Sequence, residues 1–377
     1  MGEPLTDAER RRYGRHLVLP EIGIAGQERL KTARVLIVGL GGLGSPAALY
    51  LAAAGVGTLG LVEFDTVDET NLQRQLLYGD ADVGRAKLDA AVERLAAINP
   101  HVELVAHAER FDLDNARALV AGYDLVLDGS DNFPTRYLVN DACVLERRPN
   151  VWGAVFRFEG QASVFAAPGG PCYRCLFPEP PPPGLVPSCA EAGVFGALPG
   201  VIGTLQAIEA IKWITGVGAP MVGRLLLFDA LAMTFREVGV PRDPACPVCS
   251  ERPTQTGLVR YEDACAVPEE IAGFDVEPAE VARRLAAGEP LELLDVRTAH
   301  ELRLSSLPGA RWIPLHELPG RLAELPRDRP LVVFCHVGGR SVAATELLRE
   351  RGFACAFNLA GGIDAWSVEV DPGVPRY

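Results

Sequence analysis

The stretch Arg34-Val35-Leu36-Ile37-Val38-Gly39-Leu40-Gly41-Gly42-Leu43-Gly44 decides the fold of the first part of this 377-residue chain. Arg34–Val38 is too short for a helix and carries an unbroken apolar run, which predicts a buried strand. Glycines interrupt it at once, and the alanine-rich residues beyond them predict a helix through Ala54. A second strand is predicted over Thr58–Val62, and an acidic residue, Glu63, ends it. A G-x-G-x-x-G turn between a strand and a helix points to a nucleotide. Gly39, Gly41, Gly42 and Gly44 let the backbone approach phosphates, helix N–H groups receive the charge, and Glu63 can take ribose hydroxyls. Alone, the pattern equally fits a nicotinamide enzyme, or a turn that merely lets helix and strand pack.

Working outward, Tyr123–Leu127 reads as another strand, and alternating strands and helices predict an α/β fold, a Rossmann-like, mostly parallel sheet with helices on both faces. Pro178–Pro187 is too proline-rich for anything but an extended loop. Residues 251–275, rich in Thr, Gln, Pro and acidic groups, read as a linker. Strand–helix alternation resumes near Val276, with Leu291–Leu294 and Leu331–Phe334 its clearest strands. The expected organisation is a domain over 1–250 and a smaller α/β domain over 276–377, with no internal repeats.

A formal net charge of −13 argues against a nucleic-acid partner held by phosphate contacts. No run of 18 apolar residues is present, so no membrane span is expected. The polar start of the chain lacks the apolar core of a secretory signal, and cytoplasm is the expected compartment. Its first six residues do fit the loosely specified M-G-x-x-x-T myristoylation pattern. Nine cysteines, arranged as two C-x-x-C pairs and several singletons, favour metal binding and thiol chemistry in a reducing compartment.

The residues beyond the glycine turn fit adenylation better than hydride transfer. Asn71-Leu72-Gln73-Arg74-Gln75 lies just beyond the second strand, Lys87 one helix later, and Asp131 and Asn132 come after the strand at Tyr123–Leu127. When a carboxylate attacks the α-phosphate of ATP, negative charge builds on phosphate oxygens. Arg74 and Lys87 can neutralise it, and Asp131 can hold Mg²⁺. The segments R-Y-G-R-H-L-V-L-P-E-I-G, G-L-G-G-L-G-S-P, N-L-Q-R-Q and D-G-S-D-N-F resemble the MoeB/ThiF family, relatives of ubiquitin-activating enzymes. The resemblance implies that Gly42, Glu63, Asn71, Arg74, Lys87, Asp131 and Asn132 contact ATP or its metal. It also implies that Arg15 reaches the nucleotide of a neighbouring subunit, hence a homodimer. Glu63 stands where Asp is usual in that family.

Cys172-Tyr173-Arg174-Cys175 and Cys246-Pro247-Val248-Cys249 form two knuckles. Four thiolates without histidine suit a closed, structural Zn²⁺ site; a disulfide pair or a redox C-x-x-C explains two knuckles less well. Cys189, directly after the proline loop, is read as a second reactive thiol beside a helix N-terminus, against the alternative of a small buried hydrophobe. In the resembled family this position can accept the activated carboxyl group. Cys143 and Cys265 are expected to be structural or incidental, and Cys355 to lie in the core of a late apolar strand.

Val332-Val333-Phe334 leads into Cys335-His336-Val337-Gly338-Gly339-Arg340-Ser341 and then an amphipathic helix. Backbone N–H groups at such a loop favour an anionic sulfur. A cysteine-headed loop closed by an arginine, C-x4-R here, also resembles that of a cysteine-dependent phosphatase, which calls for a general acid that this region does not obviously offer. Together with L-L-D-V-R-T-A-H-E (Leu293–Glu301), L-P-G-A (Leu307–Ala310) and L-A-G-G-I-D-A-W (Leu359–Trp366), the loop resembles rhodanese. That implies a persulfide on Cys335, with Arg340 and the loop amides as its shell. Ser305-Ser306-Leu307 replaces the usual G-H-I.

An acyl-adenylate is a mixed anhydride open to a sulfur nucleophile, so the two domains together imply one relay. ATP activates the Gly-Gly carboxylate of a small ubiquitin-like sulfur-carrier protein, and sulfur from thiosulfate or a cysteine-desulfurase persulfide passes through Cys335 to it. Cys189 either resolves the acyl persulfide or forms a thioester first. The product would serve molybdopterin, thiamine, cysteine or tRNA thiolation. The rivals are a nicotinamide oxidoreductase, which leaves the knuckles without a place, a ubiquitin-like conjugation activator using Cys189, which leaves the rhodanese-like segment without one, and a scaffold of dead domains.

Overall fold

The computed structural model describes residues 4–180, 193–259 and 274–377. These fall into two compact units, one holding the described residues 4–180 and 193–259 and the other 274–377.

The first unit is built on a sheet of eight described strands: β1 (Arg34–Val38), β2 (Thr58–Val62), β3 (Glu103–His107), β4 (Leu125–Asp128), β5 (Asn150–Phe156), β6 (Glu159–Phe165), β7 (Arg224–Asp229) and β8 (Thr234–Gly239), in the order β3-β2-β1-β4-β5-β6-β7-β8. The first five are parallel, and β6 to β8 extend them antiparallel. β1 explains its own sequence. Val35 and Ile37 enter one core with Leu30, Leu51 and Ala91, while Leu36 and Val38 enter the other with Val120, Leu138 and Val139. A strand covered on both faces has no position for alternating polar residues, so it reads as a continuous apolar run. The chain order reverses between β1 and β4, which opens a crevice at their carboxyl ends.

The second unit carries β9 (Asp275–Val276), β10 (Glu292–Asp295), β11 (Arg311–Trp312), β12 (Leu331–Phe334) and β13 (Ala356–Leu359), all parallel in the order β11-β10-β12-β13-β9. Leu331 and Val333 pack on one face with Ala344 and Leu348, and Val332 and Phe334 on the other with Ile363 and Trp366. The middle strand, β12, delivers Cys335 at its carboxyl end.

Two boundaries differ from expectation. Tyr123 belongs to the turn after the helix Ala116–Ala121, its N–H donating to the Val120 carbonyl, so β4 begins at Leu125 and extends to the buried Asp128. β10 starts and ends one residue later than the apolar run suggests. No helix among the described residues is long and apolar enough to cross a membrane.

Candidate functional site

The crevice between β1 and β4 is a cavity of about 170 Å³, lined among others by Gly39, Gly41, Gly42, Glu63, Arg74, Lys87, Asp131 and Asn132. Eight residues singled out in the sequence are thus brought to one place. Gly44 has a different task. A Cβ there would stand 1.9 Å from the Gly39 carbonyl oxygen, so its lack of a side chain lets the helix Gly44–Ala54 close onto the turn.

Glu63 is buried and holds the glycine turn together. Its Oε2 accepts from the Leu40 N–H at 2.9 Å, and its Oε1 from the N–H groups of Phe64 and Asp65 at 2.9 and 3.1 Å. The Leu40 carbonyl is held in turn by the Ser45 and Tyr78 hydroxyls at 2.9 and 3.0 Å. Sequence reasoning placed Glu63 correctly at the strand end but missed this bracing role, and it missed Tyr78 altogether. Burial pushes the Tyr78 phenol well up, so it remains a hydrogen-bond donor.

Lys87, first residue of the helix Lys87–Ile98, is buried and pairs through Nζ with Asp65 Oδ2 at 3.1 Å. Arg74 is half-buried, with Nη1 donating to the Thr70 carbonyl at 2.9 Å. Asn71 sits in the short turn Glu69–Asn71 just before it, outside the cavity lining. Asp131 is exposed, and Asn132 caps the helix Phe133–Glu146 by accepting from the Thr135 N–H at 2.9 Å. Arg15 lies exposed on the helix Gly14–Leu17, away from the lining of this crevice.

Several lining residues carry no motif signal. Arg136 is buried and donates to the Ser130 carbonyl at 3.4 Å, and the Arg110 guanidinium lies 4.8 Å from the centre of the Phe64 ring. Asp128 is fully buried beneath them. Burial pushes its carboxyl up, while the Ser130 hydroxyl and N–H, at 2.6 and 3.0 Å, oppose that rise and fix the D-G-S-D turn.

The sulfurs of Cys172, Cys175, Cys246 and Cys249 all lie within 4.8 Å of one another, with Cys172–Cys246 at 3.5 Å and Cys175–Cys249 at 3.4 Å. A tetrahedral zinc thiolate centre, with Zn–S near 2.3 Å, needs sulfurs about 3.8 Å apart, so the donor set fits. Hydrogen bonding between neighbouring sulfurs pushes the Cys172 thiol up and pulls the Cys175 thiol down. Arg174, inside the first knuckle, forms a buried bidentate pair with Asp141 at 2.9 and 3.1 Å, and Gln255 Nε2 donates to the same carboxylate at 2.7 Å. The knuckle is thereby bolted to the helix that begins beside Asn132.

Cys143 is buried in the core, with its thiol pushed well up by desolvation. Cys355 corrects the expectation of a core residue: it is exposed in the turn before β13, because the strand starts one residue later. Cys189 and Cys265 lie outside the described residues.

In the second unit Cys335 is buried, and its Sγ accepts from the Gly338 N–H at 3.2 Å and the Ser341 hydroxyl at 3.4 Å. Gly338 reaches this geometry at φ 102°, where side chains are strained. The carbonyls of Cys335 and His336 accept from the N–H groups of Ile363 and Asp364 at 2.9 and 3.0 Å, which explains why the L-A-G-G-I-D-A-W segment accompanies the loop. The Arg340 guanidinium binds Glu301 in a bidentate pair at 2.9 and 2.6 Å, while the sulfur accepts from the Gly338 amide and the Ser341 hydroxyl. Burial would raise the Glu301 carboxyl, but Arg340 and Thr298 outweigh it and hold it down at about 2. Below it, Asp295 and Arg297 form a fully buried pair at 2.9 and 2.7 Å.

Comparison with known proteins assigns a family to each unit. The ThiF family matches residues 13–248, and the rhodanese-like domain matches residues 277–369. The chain is 48% identical to the probable adenylyltransferase/sulfurtransferase MoeZ of Mycobacterium tuberculosis, over 99% of this chain and 96% of that protein. It is 44% identical to the adenylyltransferase and sulfurtransferase MOCS3 of Anopheles gambiae, over 99% and 90%. The sulfur carrier protein adenylyltransferase of Thermus thermophilus is 55% identical over 70% of this chain and 98% of its own length. Among solved structures, E. coli MccB with MccA-N7isoASN shares the fold at 22% identity and a TM-score of 0.58, covering 64% of this chain and 75% of that one. A glycine-turn crevice and a cysteine-headed loop, each matched by its own family over the residues that build it, make this chain a member of the ThiF family with a rhodanese-like domain, an enzyme with adenylyltransferase and sulfurtransferase activities.

Proposed function

We propose that the first unit adenylates the Gly-Gly carboxylate of a small ubiquitin-like sulfur-carrier protein, and that Cys335 then supplies the sulfur that turns it into a thiocarboxylate. The observation that carries this reading is the pairing, in one chain, of a glycine-turn crevice lined by Arg74 and Lys87 with a cysteine cradled by an N–H group and a hydroxyl. The printed name of the Thermus relative supports the carrier as substrate.

In this reading the glycine turn and the N-terminus of the helix Gly44–Ala54 receive the phosphates. Arg74 and Lys87 offset charge on the α-phosphate as the carboxylate oxygen attacks and pyrophosphate leaves. Asp131 and Asn132 stand at the sheet edge where Mg²⁺ would be held, and that ion would draw charge from the leaving phosphates. Arg15 of a second copy would complete the nucleotide site. Zn²⁺ on Cys172, Cys175, Cys246 and Cys249 would be structural, since four thiolates leave no open position.

Sulfur delivery starts with Cys335 taking a sulfur atom from thiosulfate, releasing sulfite, or from a desulfurase persulfide. The terminal sulfur attacks the acyl-adenylate, forming an acyl disulfide and releasing AMP. A second thiolate must then attack the Cys335 sulfur, releasing the thiocarboxylate and leaving a disulfide that an external thiol reduces; Cys189 is assigned that role. Weighing the carrier after incubation with the protein, Mg-ATP and thiosulfate tests the reading. One oxygen replaced by sulfur is the expected change. AMP release with an unchanged carrier mass would reduce the activity to adenylation.

A further inference from the structure

Tyr377 touches the start of the Cys335 loop directly and reaches its end through Glu301. Its ring stacks on His336, the residue after Cys335, with centroids 4.3 Å apart and planes 11° from parallel. Its hydroxyl accepts from Arg297 Nη1 at 2.8 Å and donates to Glu301 Oε1 at 3.3 Å. Glu301 is the residue that grips Arg340 at the far end of the loop. One side chain therefore joins the start of the loop, its end, and the buried Asp295–Arg297 pair behind it.

The segment around Tyr377 is held without it. Arg376 pairs with Asp364 at 2.7 and 3.0 Å, Val374 is buried, and the Asp364 N–H donates to the His336 carbonyl at 3.0 Å. His336 is thus fixed on its backbone by Asp364 and on its ring by Tyr377. Val337 alone separates the clamped His336 from Gly338, whose N–H donates to the sulfur, so loss of the clamp frees the start of the loop to shift that donor.

We propose that Tyr377 is a positioning residue for sulfur transfer: by clamping His336 and, through Glu301, Arg340, it keeps the Gly338 and Ser341 donors aimed at the sulfur of Cys335. This rests on Cys335 being the sulfur carrier. Donors displaced by a fraction of an ångström stabilise the reacting sulfur poorly without altering how a small donor binds, so the effect belongs in kcat.

The test is made on the full chain, with thiosulfate as donor and cyanide as acceptor. Tyr377→Ala is expected to lower kcat roughly 10-fold or more, with KM for thiosulfate within about twofold of the parent. Tyr377→Phe, which keeps the stack and loses the hydroxyl bridge, is expected to restore part of that loss. Combining Tyr377→Ala with His336→Ala should cost little more than the worse single change, because both remove one contact. ATP–pyrophosphate exchange by the first unit should not move. A kcat for Tyr377→Ala within about threefold of the parent, or losses that multiply in the double variant, would overturn the proposal. If Tyr377→Ala unfolds this unit, Tyr377→Phe decides, and a parental kcat there overturns it. Sulfur transfer surviving in Cys335→Ala would instead refute the underlying assignment, whatever the Tyr377 variants do.

Discussion

The Leu40 N–H donates to Glu63 Oε2 at 2.9 Å, so the glycine turn is braced from the end of the neighbouring strand by a buried carboxylate. Three N–H groups converge on this one side chain. Glu63→Gln keeps the shape and one acceptor oxygen but turns the other into a donor that faces an N–H. Leaving a buried N–H without its acceptor costs about 1–3 kcal/mol. The variant is expected to melt earlier and to bind ATP more weakly, by calorimetry. Parental stability and affinity would show that the brace is dispensable.

Arg74 contributes little to the fold, since it is half-buried and makes its hydrogen bond to the Thr70 carbonyl. Its removal is therefore a clean probe of chemistry. Arg74→Ala is expected to leave the melting temperature unchanged and to slow carrier-dependent ATP–pyrophosphate exchange by about 10²–10³, the usual loss for one charge-stabilising donor. Exchange within about threefold of the parent would remove Arg74 from the adenylation step.

The four-cysteine cluster predicts about one zinc per chain by elemental analysis. Its ligands join the segment at 172–175 to that at 246–249, distant in sequence, so the metal contributes directly to stability. Cys172→Ser, or verified removal of the metal by a chelator, is expected to lower the melting temperature of the first unit by about 10 °C or more. An unaltered melt after confirmed metal loss would contradict the structural role.

Glu301 gives a pH-dependent signature. Its carboxyl is held at about 2 in the folded chain against an ordinary value of 4.5. A depressed carboxyl stabilises the fold fully above the unfolded value and loses that contribution as pH falls from about 4.5 towards about 2, so the gap between parent and Glu301→Gln should be largest at neutral pH. Discounted for solvent screening, it is on the order of 1 kcal/mol. Denaturant melts of the rhodanese-like unit's signal at pH 7, 4 and 3 should show the two proteins converging as the solution becomes more acid. A gap that persists at low pH would mean that Glu301 acts through packing.

The sequence was most readable where burial is symmetric. The strands β1, β2 and β12 appear as apolar runs because helices cover both faces, and the glycine turn announces itself by spacing. Legibility fails where a side chain's partner is remote. C-x4-R spacing puts Arg340 near the sulfur, but nothing local says that Glu301, 39 residues earlier, captures its guanidinium. Likewise an acid at the end of β2 suggests a ribose contact, but nothing local says that both its oxygens also accept from N–H groups. Cys355 looked buried because A-C-A-F-N-L is apolar, yet the strand begins after it and the turn leaves the thiol exposed.

The most direct measurement tracks the sulfur itself. The full chain is treated with thiosulfate labelled on its outer sulfur, freed of excess donor, and given carrier and Mg-ATP in the absence of inorganic sulfide. The parent is expected to hold label on Cys335 and then to release it as carrier thiocarboxylate, whereas Cys335→Ala should hold and deliver none while its pyrophosphate exchange stays intact. Labelled thiocarboxylate made by Cys335→Ala would contradict the account.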